Sequence, residues 1–179
     1  MLFVAAILVG LVFGVLTGGR VENLAKVRFR WPVLVLAALL VRALVLAPPF
    51  QSIEGAQYVY LLALVVIVAW TNWHWRRIPA IWLVSIGAGL NVVVIAANGA
   101  RMPVASWAAG PLKSRGTIGQ YTLMSSHTNL NFLGDGISLY PLPGAYSVGD
   151  VIIALGLAIV VFLAVRKPNP NREKELTPP

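Results

Sequence analysis

Apolar residues run in long stretches along this chain. Five stand out: Met1 to Thr17, Pro32 to Ala47, Tyr58 to Trp73, Ile78 to Ala97 and Val148 to Val165. Each predicts a helix. A hydrocarbon core about 30 Å thick takes roughly 20 residues of helix, within a range of about 17 to 25. The fourth and fifth stretches fit that length. The first three need their flanks to complete a crossing, and the second carries Arg42 inside it. The expected fold class is an all-α integral membrane protein, a bundle of about five transmembrane helices with an ordered extracytoplasmic loop. Residues 1–165 form one polytopic domain in this reading, capped outside by 98–147. Residues 166–179 follow as a cytoplasmic, disordered tail, polar and rich in proline. No charge precedes Arg20, so the first stretch reads as a retained helix and not as a cleaved signal.

Composition sharpens this. Of 179 residues, 58% are hydrophobic and 11% charged, and the mean hydropathy is +0.79. Soluble domains carry about 25% charged residues, so a free water-soluble globule is excluded, and so is wholesale disorder. The absence of cysteine excludes disulfides, thiolate nucleophiles and iron–sulfur clusters built by this chain. The net charge of +8 does not argue for nucleic acid as a partner, because the basic residues stand beside apolar runs. Their placement is a topology signal, and the lipid bilayer is the expected partner.

Ten of the fourteen basic residues fall in every second connection: Arg20, Lys26, Arg28 and Arg30, then Arg76 and Arg77, then Arg166, Lys167, Arg172 and Lys174. The positive-inside rule then puts the N-terminus outside and the C-terminus in the cytoplasm. Trp31, Trp70, Trp73, Trp75 and Trp82 fall near the proposed inner boundary, and Tyr58 and Tyr60 near the outer one. These rings read as headgroup-level anchors. Lys26 to Trp31 alternates basic and apolar side chains, suiting a segment on the inner surface with its cations toward anionic headgroups. The outer segment 98–147 retains Trp107, Leu123, Phe132 and Leu142, which a solvated linker does not need. It is expected to fold back as a cap, with a short interfacial helix over Pro103–Ala109.

Few residues carry candidate chemistry. Gly10, Gly14 and Gly18 stand four apart on the first helix, a spacing that lets another backbone approach closely. That face serves either packing within the chain or docking of a partner subunit. Ser85 and Gly89, with Gly87 and Asn91, form a second such strip. Asn91 at mid-depth is expected to hydrogen-bond across helices or to contact a ligand. Arg42 lies about 9 Å of helix from the outer end, so it either snorkels or pairs within the protein, or else serves as a cation at the end of an outer cavity. Asp150, Asp135 and Glu54 are the acids available to neutralise it. Ser147 and Asp150 have capping-box spacing, and Asp135 sits in a predicted tight turn, Leu133-Gly134-Asp135-Gly136. His74 and His127 fall at opposite boundaries and cannot share a haem. No catalytic, cofactor-binding or metal-binding residue is assigned, and no cofactor is expected.

Asn98-Gly99-Ala100-Arg101-Met102-Pro103-Val104, Phe132-Leu133-Gly134-Asp135 and Tyr146-Ser147-Val148-Gly149-Asp150 accompany a first helix ending in Gly18-Gly19-Arg20. Over residues 1–165 this resembles an uncharacterised bacterial membrane-protein family, domain of unknown function family 5317. The resemblance implies a bacterial plasma-membrane location and an outer loop integral to the domain. It implies no activity, cofactor or catalytic residue.

The leading functional expectation is a non-catalytic accessory or structural subunit that packs against partner subunits in a membrane complex. The alternative is a protein that binds or transports a small molecule or ion. Arg42, Asn91, Arg101 and Asp150, with Asp135 nearby in the cap, would then form an outward-facing polar site. A third possibility is an enzyme working at His127, Asp135 and Asp150.

Overall fold

The computed structural model describes residues 1–166; the tail beyond lies outside the described residues. Among the described residues there are seven helices. Five are long: α1 (Leu2–Leu16), α2 (Pro32–Leu46), α4 (Ala56–His74), α5 (Ile81–Ala97) and α7 (Val148–Arg166). Two are single turns, α3 (Pro48–Gln51) and α6 (Leu112–Arg115). The five strands are β1 (Met102–Val104), β2 (Thr117–Ile118), β3 (Tyr121–Leu123), β4 (Ile137–Leu139) and β5 (Leu142–Tyr146).

This corrects the expectation of an all-α bundle of five spans. Two small sheets stand at one end of the helices, ordered β1-β3-β2 and β4-β5. Among the described residues only α4 and α7, each 19 residues, are long and apolar enough to cross a membrane. Helices α1 and α2 have 15 residues and α5 has 17. At about 1.5 Å per residue they rise roughly 22–26 Å, short of a core about 30 Å thick. The second stretch is bounded by local chemistry. Trp31 takes a left-handed conformation just before it. Ala47, placed before Pro48, is forced into extended backbone.

The long helices pack in the spatial order α1, α7, α5, α4, α2. The last helix is therefore inserted between the first and the fifth. Glycine makes both of its interfaces possible. A Cβ on Gly10 would strike the Ala158 backbone, and one on Gly14 would lie 3.0 Å from Val165. On the other side of α7, a Cβ on Gly87 would lie 2.5 Å from the Gly149 carbonyl, and one on Gly156 would lie 2.9 Å from Val84.

At the basic end of the row a strap crosses the helices. A 3-10 turn, Val21–Lys26, is pinned to α7 where Asn23 donates to the Val165 carbonyl at 2.8 Å. Further on, the Arg30 amide donates to His74 Nε2 at 3.0 Å, and Trp70 Nε1 donates to the Arg30 carbonyl at 2.9 Å. His74 is fully buried, and its Nδ1 lies 2.8 Å from the Trp70 carbonyl. Because one ring nitrogen accepts an amide, the proton is assigned to Nδ1. Phe29 stacks on Trp70 with ring centroids 5.8 Å apart. His74 is thus a structural tie for the strap.

At the other end, residues 98–147 form the cap. Strand β1 is buried along its length and runs parallel to β3, with β2 antiparallel on the far side. Val104, Ala109 and Leu112 make a small core there. The helix expected over Pro103–Ala109 is absent. Pro103 lies inside β1, its carbonyl accepting the Asp135 amide at 2.8 Å, and a turn follows. Proline lacks a donor but keeps its acceptor, so one-sided strand pairing satisfies it. Met102 and Ala100 join the cap to the helical core around Tyr60, Leu64 and Val94. Asn98 ties the segment after α5 to Asn129, accepting its amide at 2.7 Å.

Candidate functional site

Where cap and helices meet, a cavity of about 210 Å³ opens. Its polar wall is assembled from separate elements: Arg42 on α2, Tyr60 on α4, Asn91 on α5, Tyr121 on β3, Asp135 in the cap and Asp150 on α7. Leu2 and Phe3 of α1, with Met1 just before it, supply an apolar side. A second pocket of about 300 Å³ lies within the cap and shares Tyr121, Asp135 and Ala145 with the first.

The side chains are held by one another. Arg42 turns inward and donates to the Tyr60 hydroxyl at 2.6 Å, with its guanidinium 4.7 Å from the Tyr60 ring centroid. It therefore pairs within the protein. Its Nε is buried without a hydrogen-bond partner. Asn91 donates to Asp150 Oδ1 at 2.9 Å and accepts from the Ser147 hydroxyl at 2.8 Å. Ser147 Oγ also accepts the Asp150 amide at 2.9 Å, and Asp150 Oδ2 accepts the Ser147 amide at 3.3 Å. That is the reciprocal capping box, so the first turn of α7 presents its carboxylate in a set orientation.

Asp135 is positioned by backbone. Its amide bonds to Pro103, its carbonyl accepts from Ala105 at 2.9 Å, and the preceding Gly134 has no room for a Cβ against the Pro103 carbonyl. Its Oδ1 is buried without a partner. Burial, and then the neighbouring Asp150 carboxylate, push its pKa up to about 7. Burial and then Tyr60 push the Tyr121 phenol up to about 12. The cavity therefore holds a guanidinium, one carboxylate that is half protonated near neutrality, and a second carboxylate fixed by an amide and a helix cap.

Of the residues singled out from the sequence, Arg42, Asn91, Asp135 and Asp150 share this cavity. Arg101 does not line it; its Nε donates to the Gly119 carbonyl at 3.2 Å and braces the cap. His127 is exposed on a turn and does not line the cavity that holds Asp135 and Asp150. Among the described residues, no group of three or more His, Asp or Glu is placed to hold a metal ion. Gly10 and Gly14 face α7, whereas Gly18 and Gly89 have open space around a would-be Cβ. Ser85 is buried within α5. Tyr60, read from the sequence as a headgroup-level anchor, lines the cavity together with Tyr121 and Tyr146. The one sequence signal for Tyr60 is a charge, Arg42, that needs a partner at the same helical depth.

No curated protein and no solved structure matches the chain. A family profile matches residues 2–162, nearly all of the helices and the whole cap. On that match the chain belongs to the family of unknown function DUF5317.

Proposed function

We propose that this chain is a bacterial plasma-membrane protein that binds a small zwitterionic solute in the cavity between its helices and its cap. The observation that carries the reading is convergence. Arg42, Asp135 and Asp150, from three separate parts of the chain, meet around one cavity that Tyr60, Tyr121 and Tyr146 also line. Burying such groups is costly unless something pairs them. Arg42 suits the acidic end of a solute, and the Asp135–Asp150 pair suits a cationic end. Drug-sized ligands occupy pockets of about 300–1,000 Å³, so 210 Å³ points to a smaller molecule. The subunit reading drew in part on glycine faces, and of those glycines Gly10, Gly14 and Gly87 are occupied by α7 whereas Gly18 and Gly89 stay open.

Membrane location is supported by α4 and α7 and by large apolar side chains left bare at mid-helix. Leu8, Leu36, Leu62 and Leu155 are all more than half exposed. In this reading the end carrying Lys26, Arg28, Arg76 and Arg77 faces the cytoplasm, and the cavity opens on the opposite side. The chain has no native cysteine, which makes single-cysteine labelling clean. Ser126→Cys is expected to react with an impermeant maleimide added to intact cells, and Glu22→Cys only after lysis. Reaction of both from outside refutes the orientation.

The binding reading is tested by thermal unfolding of the purified full chain in detergent with glycine, β-alanine or glycine betaine. Acetate and methylammonium are the single-charge controls. A zwitterion present at 100 times its dissociation constant is expected to stabilise by about 2.7 kcal/mol. Arg42→Gln should lose most of that shift. If none of the zwitterions outperforms the controls, or if Arg42→Gln responds like wild type, the reading fails.

A further inference from the structure

The basic end carries a second site. Lys26 and Arg28 on the strap and Arg77 after α4 rim a groove of about 500 Å³ whose floor is apolar, made by Val160 and Leu163 of α7 with Ile78. All three cations are exposed, and Leu163 is 38% exposed beside them. The rim is pre-shaped. Asn23, itself bonded to α7, accepts from Lys26 Nζ at 3.1 Å. The backbone at Arg30 is held by His74 and Trp70. The cations therefore stand on a tethered strap and lose less freedom on binding than cations on a free loop would. Glu22, the acid on the same turn, does not line the groove.

We propose that this groove binds one anionic phospholipid, its phosphodiester among Lys26, Arg28 and Arg77 and an acyl chain along Val160 and Leu163. Charge complementarity selects the headgroup, and the apolar floor selects a lipid over a free anion. The inference rests on the membrane reading above but not on the cavity at the other end.

Native mass spectrometry of the full chain with equimolar phosphatidylglycerol and phosphatidylcholine tests it. Each cation near a headgroup contributes about fivefold in affinity. The Arg28→Gln/Arg77→Gln double variant is therefore expected to lose about 30-fold of the preference for phosphatidylglycerol. Both side chains are exposed, so the variant should fold, and Arg115→Gln on the cap should bind as wild type does. Equal retention of both lipids, or an unchanged preference in the double variant, overturns the proposal. So does displacement by millimolar inorganic phosphate, which would identify a free-anion site. Flotation with vesicles separates the two readings: a chain that floats but lacks lipid preference refutes only the groove. One that floats with no vesicle refutes membrane location and the groove together.

Discussion

Gly149→Ala is expected to destabilise the fold by roughly 3 kcal/mol. Overpacking between well-fitted elements costs about 1–3 kcal/mol, and here the obstacles are the hydrogen-bonded Asn91 amide and the Gly87 backbone. A Cβ at position 149 would lie 2.5 Å from the Gly87 carbonyl and would collide with Asn91 Oδ1. Helix α7 would have to move away from α5. The Asn91 amide, which joins Asp150 to Ser147, would lose partners worth about 1 kcal/mol each. Gly89→Ala is the matched control, because a Cβ there meets nothing within 4 Å. It should be neutral or stabilising by up to about 1 kcal/mol, since alanine is the better helix former. Thermal midpoints in one detergent compare the two. Equal midpoints would mean that α5 and α7 do not approach as described.

Stability is expected to fall as pH rises from about 4 to about 7, and Asp135 is the reason. A buried carboxyl with its pKa at about 7 binds a proton more tightly in the folded chain than in the unfolded chain, where the value is near 3.9. Below pH 4 both states are protonated and nothing is lost. Between the two values the folded state holds the extra proton, so raising the pH favours unfolding. Above about 7 both states are ionised and the penalty is constant, about 4 kcal/mol at most. Asp135→Asn removes the titration. It should match wild type near pH 4, exceed it at pH 8, and show a flatter profile between. Midpoints measured from pH 4 to pH 8.5 decide the matter, and a wild-type profile that rises through this window contradicts the assignment. The same ionisation makes the cavity more negative as pH passes neutrality, so a cationic group should bind more tightly above pH 7 than below it.

The helices were legible because their causes are local. Each of the five apolar stretches holds a long helix, and the ends fall within three residues of those read from the sequence. The capping box of Ser147 and Asp150 was legible for the same reason, since its partners are three residues apart. The strands were not. They are two to five residues long, too short for period-2 alternation to register. The pairing of β1 with β3 spans about twenty residues, and Asp135 bridges to Val104 across about thirty. Pro103 looked like a helix start because the preference for that position is itself local, whereas its observed environment comes from a distant segment.

By itself the sequence determined where helices form, which connections carry the positive charge and which polar residues interrupt the apolar stretches. Each depends on bonds within one turn or on composition. Only the tertiary structure decided that α7 slots between α1 and α5, because backbone contact needs Gly10, Gly87 and Gly149 to meet partners far away in sequence. It alone decided that Arg42 turns toward Tyr60 and not toward solvent. It also buried Asp135 and set it near Asp150, which together raise its pKa to about 7. Charge–charge energies depend on separation and burial, and no spacing along the chain specifies either.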